Sequence, residues 1–299
     1  MSDSLQMLVN AFCEANGRRV VVLVDEYDVL LNKARTFGYY TDMRNLVRQM
    51  LGNALKDNPR LKKAVVTGCL RIAKESIFTG FNNFGCHSIG STTLSGVCGF
   101  TPEEAHTVLQ DFGLLAFEDG TREHYDGYRF GHTEIYCPWD LLSFCRDKTA
   151  DGAATDSADK TTYPHYWVNT SSNDIVDEFV RYADESQLRI LKTLMTGKTV
   201  AAPVIEELSF SELDADHSSE KLLSLLCAAG YLTSAGTDTD GNVVLRLPNE
   251  EIRDCFKRRI TASFDKKGAN TMSAGQSVTE ALFTGRPFQA GERISEYLS

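Results

Sequence analysis

The sequence predicts an α/β fold, and three observations carry that expectation. Val20–Asp28 reads VVVLVDEYD, a Val-rich apolar run that ends in two adjacent carboxylates, Asp25 and Glu26. A second apolar run, AVVTGC, lies in Lys63–Cys69 and follows a stretch with helical spacing. Strand, helix and strand in that order are the signature of a parallel sheet. Further on, amphipathic segments flank Asp240-Gly241-Asn242, a strong hairpin signal.

Composition bounds the function classes. The chain has 299 residues, 42% hydrophobic and 24% charged, enough for one large domain or two. A formal net charge of −10 and a pI near 5.2 argue against broad contact with nucleic acid or an anionic membrane. No apolar run reaches the ~18 residues of a membrane span, and Met1–Asn10 carries no basic leader. The expectation is a soluble, cytoplasmic protein. Eight cysteines and six histidines form no C-x-x-C pair and no paired ligand spacing, so buried reduced thiols are expected rather than zinc.

Taken in order, Leu5, Leu8, Val9 and Phe12 have helical spacing, and Asn16-Gly17 ends that helix. A continuous apolar run such as Val20–Val24 reads as a strand buried on both faces. Tyr27–Tyr40 reads as a short apolar step followed by a Gly/Tyr-rich loop. Thr41 or Asp42 is a candidate cap for a helix through Leu46, Val47, Met50, Leu51 and Leu55. Leu70–Gly90 reads as a long irregular segment beside a strand end, a frequent place for function.

Thr101-Pro102-Glu103-Glu104 opens the next helix, with Thr as N-cap, Pro at the first position and acids in the first turn; it ends near Phe112-Gly113. Tyr125–Gly131, YDGYRFG, is a turn between aromatics, with Arg129 expected to pair with Asp126 or nearby acids. Ile135–Pro138 and a helix Trp139–Cys145 follow. Lys148–Lys160 is small, polar and aperiodic, and reads as a flexible loop.

Helices are then expected from Asn173 to Leu194, over Pro203–Leu208 and over Ser219–Cys227. Strands Tyr231–Thr233 and Val243–Leu247 come next, and a last helix from Pro248-Asn249 through Ile260. Three helices, a hairpin and a closing helix read as a winged-helix module. The expected organisation is 1–147 as a core with a helical extension, 148–165 as linker, 166–260 as the winged-helix-like domain and 261–299 as a ragged tail.

Several of these pieces together resemble the AAA-ATPase-like proteins, often fused to a PD-(D/E)XK nuclease-like domain. They are VVVLVDEYD, VVTGCLRIAKESIFTGFNN (Val65–Asn83), GFTPEE (Gly99–Glu104), YDGYRFG, IYCPWDLL (Ile135–Leu142), YWVNTSSND (Tyr166–Asp174), AGYLT and LPNEEI, in that order over Val20–Ile260. The resemblance implies an incomplete P-loop ATPase core followed by a winged-helix-like domain, with ATP and Mg²⁺ as cofactors. Asp25 would be the Walker B acid that helps hold Mg²⁺ through water, and Glu26 the group that polarises the attacking water. Thr67 would sense the γ-phosphate, and Arg71 and Lys74 would stabilise transition-state charge.

The chain departs from that pattern in its phosphate cradle. The 19 residues before Val20 contain no G-x-x-x-x-G-K-[ST]. The one Gly-Lys-Thr, Gly197-Lys198-Thr199, has Lys192 where the first glycine belongs, follows a helix, and reads as a helix C-cap with a solvated lysine. No G-x-x-D…E-x-K nuclease pattern appears either.

The expected function is therefore the Walker B and sensor part of an ATPase, unable to turn over ATP alone. The rivals are an interaction protein that kept the scaffold, with a protein partner or a second copy, and a winged-helix DNA-binding regulator. The helix Ser219–Cys227 has only Lys221 against Glu220, too little basic charge for groove binding, so nucleic acid is not an expected partner. In the bland reading, Asp25 and Glu26 cap the next turn or pair with Arg18, Arg19 or Arg44.

Overall fold

The computed structural model describes residues 1–69, 84–150, 163–167, 174–206, 208 and 210–267. Among the described residues it is a mixed α/β structure with three small sheets, and its contacts form two compact units. One holds the described residues of Met1–Cys86 with Ile205–Asp216; the other holds those of His87–Val204 with His217–Ser299.

In the first unit, α1 (Ser4–Asn16) leads to β1 (Val20–Val24), then α2 (Tyr27–Thr36), α3 (Tyr40–Leu55) and β2 (Leu61–Val66). The two strands pair in parallel, Val22 opposite Ala64 and Val24 opposite Val66. A parallel pair needs a crossover, and α2 and α3 supply it. The core is Val9, Val22, Tyr27, Leu31, Ala34, Val47, Leu51 and Ala54. α9 (Phe210–Ala215) belongs to this unit, and Phe210 meets Tyr40 edge-to-face at 5.6 Å.

Several expectations are corrected here. β1 is buried on one face only: Val22 is 7% exposed, whereas Leu23 is 74% exposed. Side chains alternate along a strand, so a sheet with helices on one side leaves the other row open. Tyr27–Thr36 is a helix rather than an apolar step and loop; Leu31 and Ala34, three apart, both bury against the core. The residue before α3 is Tyr39, with no side-chain cap, and Thr41 and Asp42 lie inside its first turn.

The second unit begins its regular structure with α4 (Pro102–Asp111). Thr101 Oγ1 accepts the Glu104 N–H at 3.3 Å, and the Glu104 carboxylate accepts the Thr101 N–H at 3.0 Å, a reciprocal capping box. After a 3-10 turn at Leu115–Phe117 come α5 (Glu118–Tyr125), the hairpin β3 (Tyr128–Phe130) and β4 (Thr133–Ile135), and α6 (Pro138–Ala150). An aromatic core joins them: Phe144 packs edge-on to Phe117 and stacks on Tyr163, with centroids at 5.7 and 5.4 Å. α6 continues to Ala150, past the Lys148 at which the loop was expected to begin; 151–162 lie outside the described residues.

α7 (Asp174–Arg181) and α8 (Glu185–Met195) follow, then β5 (Val200–Ala202), α10 (Ser219–Ala228), β6 (Thr233–Thr237), β7 (Val243–Arg246) and α11 (Glu250–Lys267). The antiparallel sheet has the order β5-β7-β6. β5 was not anticipated, because three residues are too few for an alternating pattern to register. Ile205, Glu206 and Leu208 are not helical, and the helix expected there starts at Phe210. α11 runs seven residues beyond Ile260, so Thr261–Lys267 continue the helix rather than a ragged tail. Among the described residues no helix is long and apolar enough to cross a membrane.

Candidate functional site

The C-terminal ends of β1 and β2 lie side by side and bring Asp25, Glu26 and Thr67 together. Backbone bonds continue the ladder beyond the strands, with the Thr67 N–H donating to the Val24 carbonyl at 2.8 Å and the Tyr27 N–H to the Thr67 carbonyl at 3.0 Å. The Thr67 hydroxyl is thereby held between two groups of the other chain end. It donates to Asp25 Oδ1 and accepts the Glu26 N–H at 3.3 Å. Asp25 and Glu26 are solvent-exposed.

Glu26 adopts φ 52° and ψ 46°, the left-handed region that costs an L-residue about 1–2 kcal/mol. It is the residue before α2, so the turn from strand to helix is made at the glutamate itself. Asp57 and Leu94 share this conformation, so the strain at Glu26 gains meaning only from its place between the two strand ends.

Two residues of this site had no role assigned from the sequence. Asp28, 6% exposed, accepts the Cys69 N–H with both carboxylate oxygens, at 3.2 and 3.1 Å, and so ties the first turn of α2 to the chain leaving β2. Gly68 lies so close to that turn that a Cβ there would meet Tyr27 Cε1 at 2.5 Å and Asp28 Oδ1 at 2.8 Å. The available signal was the third acid of the DEYD run, legible only once Tyr27–Thr36 is recognised as a helix start. Arg71 and Lys74 lie outside the described residues. Among the described residues, no group of three or more His, Cys, Asp or Glu could hold a metal ion, and Cys86-His87 forms none.

The Tyr125–Gly131 motif lies elsewhere, in the second unit, where it is a joint. The Tyr128 hydroxyl donates to the Gly230 carbonyl at 3.0 Å, and the Arg129 N–H to Thr233 Oγ1 at 2.8 Å. Arg246 donates to the carbonyls of Gly127 and Pro248, both at 2.9 Å, and Asn249 to that of Asp126 at 2.8 Å. Gly127, at φ 96°, passes so close to Pro248 that a Cβ would stand 2.0 Å from its carbonyl oxygen. Among the described residues Asp126 pairs with Arg122, at 3.6 Å and one helical turn earlier on α5, with Arg246 also nearby, where Arg129 was expected.

Buried acids cluster behind this joint. Glu251, 1% exposed, accepts the Trp167 N–H at 2.6 Å. Burial, and then the neighbouring Asp140 carboxylate, push Glu251 up to about 8. Burial pushes Asp140 up to about 6, against a hydrogen bond from Cys137 that lowers it. Glu251 Oε2 and Asp140 Oδ1 have no hydrogen-bond partner among the described residues. Burial raises the half-buried Tyr128 well above the usual phenol value.

The "Uncharacterized protein in vnfD 5'region" of Azotobacter chroococcum mcd 1 is 26% identical to this chain over 269 residues, covering 86% of the chain and 46% of that protein. The chain thus spans about half the length of this curated relative. No solved structure matches the chain. Residues 1–78, which contain α1 to β2 and the Asp25–Glu26–Thr67 site, match the model of the family described as predicted AAA-ATPase.

Proposed function

We propose that residues 20–69 form the Walker B and sensor portion of a P-loop ATPase fold, with Asp25 facing Mg²⁺ through water, Glu26 polarising the attacking water and Thr67 sensing phosphate. The observation that carries the reading is the Thr67–Asp25 hydrogen bond between the ends of adjacent parallel strands, where open parallel sheets bind their ligands. Arg71 and Lys74 enter as charge-stabilising groups on sequence grounds alone.

The residues present suit the ion in kind. An exposed carboxylate beside a hydroxyl is an oxygen-donor set that leaves Mg²⁺ most of its water shell. The triphosphate is not provided for, because two carboxylates without a phosphate cradle repel it. The Gly-Lys-Thr at 197–199 does not supply one: Gly197, at φ 79°, donates to the Leu194 carbonyl at 2.9 Å as the end of α8, and Lys198 is exposed. We assign ATP binding to this site only in combination with residues that supply the cradle, and no turnover to this chain alone.

Titration with Mn²⁺ as a paramagnetic stand-in for Mg²⁺ tests the ion assignment. Broadening should concentrate on the amides of Asp25, Glu26 and Thr67 and disappear in Asp25→Asn; broadening elsewhere would sink it. Calorimetry with Mg-ATP tests the cradle argument, since tight binding by the chain alone would overturn it.

A second reading, an interaction protein on the same scaffold, is favoured by the open face of the β1–β2 sheet, where Val21, Leu23 and Val65 are exposed. Although α9, which lies between β5 and α10 in the sequence, belongs to the first unit, within the second unit α8, β5, α10, β6 and β7 and the sheet order β5-β7-β6 support a partial winged-helix-like region. Its candidate recognition helix favours packing over DNA, because Leu222 to Cys227 of α10 are all buried. The turn between β6 and β7 carries Asp238 and Asp240. Salt-sensitive binding to duplex DNA at low ionic strength would reverse that preference.

A further inference from the structure

We propose that the open face of the β1–β2 pair, with the basic edge where the two strands begin, is a docking surface for an acidic amphipathic helix of a partner protein. The proposal rests on the interaction reading of this face, to which it adds the partner's chemistry, and is independent of the Mg²⁺ assignment.

Charge is unevenly spread along the chain. Residues 1–69 hold ten Lys and Arg against seven Asp and Glu, whereas the whole chain holds 31 against 41. Four of those cations, Arg18, Arg19, Lys62 and Lys63, stand at the start of the two strands. The Val20 N–H donates to the Arg60 carbonyl at 2.8 Å, which sets the start of β1 beside that of β2. The register shifts between Val20 and Val21, so Lys62 is an extra residue before Lys63. All four cations are exposed and have no ion pair among the described residues, while Arg60 beside them is paired with Glu14 at 2.8 Å.

An apolar row continues from this edge. Val21 lies opposite Lys63 and Leu23 opposite Val65, so the four share one face. Val21, Leu23 and Val65 are 50%, 74% and 44% exposed. Edge lysines often guard a strand against pairing. A guard does not account for three large apolar side chains left in water on the same face. Parallel strands normally carry helices on both faces, and here α2 and α3 cover only the face that buries Val22.

The open face is suited to one helix. Val21 to Leu23 spans ~7 Å, so two leucines one helical turn apart, ~5.4 Å, cover the row. Acids one turn further along then meet Lys63 and Arg19. At the other end Asp25 and Glu26 are exposed and repel an acid, so the partner's charge belongs at one end of its apolar stripe. Each exposed charge pair adds little affinity, but together they fix the direction of docking and speed the encounter.

The probe is a labelled synthetic peptide of about 18 residues, long enough to be helical alone, with leucines along one stripe and glutamates at one end. Versions with Gln or Lys in place of Glu are compared with it by anisotropy. With the full chain, the Glu peptide should bind most tightly, weaken with added salt and shift the amides of Val21, Leu23, Lys63 and Val65. Arg19→Glu with Lys63→Glu should weaken it by roughly tenfold and make the Lys peptide the better ligand. Leu23→Ser should weaken all three. Equal binding of the three peptides would overturn the acidic partner and leave the interaction reading standing; no binding by any of them would remove both. Displacement of the Glu peptide from these amides by duplex DNA would assign the edge to phosphate. A peptide-free dimer dissolved by the double charge reversal would assign the face to a second copy. Either result overturns the proposal.

Discussion

Asn249 and Asp126 meet through one amide: Asn249 Nδ2 donates to the Asp126 carbonyl at 2.8 Å, while Asn249 Oδ1 accepts the Ile252 N–H at 2.9 Å. One 5%-exposed side chain therefore caps α11 and fastens the Tyr125–Gly131 motif to it. Truncation removes the cap and leaves a buried carbonyl unpaired. Asn249→Ala should cost about 2–3 kcal/mol, read as a lower urea midpoint with an unchanged slope.

Gly127 has no tolerance on the same joint. At φ 96° and with a Cβ only 2.0 Å from the Pro248 oxygen, Gly127→Ala adds backbone strain to a collision with backbone. A loss of about 2 kcal/mol or more is expected from those two effects. Gly241→Ala, also at positive φ but with open space around it, should cost less. Equal thermal shifts for the two variants would contradict the contact.

At the β1–β2 end, the Thr67 hydroxyl serves two partners that face solvent, so its loss is softened by water. Thr67→Val should destabilise by about 1 kcal/mol and Thr67→Ser by less, because serine keeps the hydroxyl. Denaturant melts of the two variants separate the hydrogen bonds from the methyl packing.

Glu26 offers the opposite sign. Its left-handed backbone suits glycine, so Glu26→Gly should stabilise the chain by about 0.5–1 kcal/mol despite the entropy glycine adds to the unfolded state. Glu26→Val, β-branched at the same φ, should destabilise it. A stability order of Val above Gly at this position would mean that the turn is not left-handed in solution.

Local chemistry made much of this molecule legible in advance. The N-cap at Thr101, the helix end at Gly17 and the hairpin around Gly241 follow from residues that interact within a few positions, and the parallel pairing of VVVLV with AVV from two apolar runs separated by helical spacing. The acids at the end of β1 were visible for the same reason, since an apolar run that stops at Asp25-Glu26 marks its own carboxyl end. The helix Tyr27–Thr36 was not, because its apolar residues are few and its first residue follows a strained glutamate rather than a capping side chain. Asp28 went without a role for that reason.

By itself the sequence determined the α/β class, the position of the Asp25–Glu26–Thr67 set and the absence of a glycine-lysine phosphate loop from residues 1–19. Only the tertiary structure decided that β1 buries a single face, that Arg122 rather than Arg129 stands beside Asp126, and that Asp140 and Glu251, 111 positions apart, are both buried. The reason is physical. Alternation and capping are written into neighbouring residues, whereas the cost of a buried charge depends on what the rest of the chain places around it.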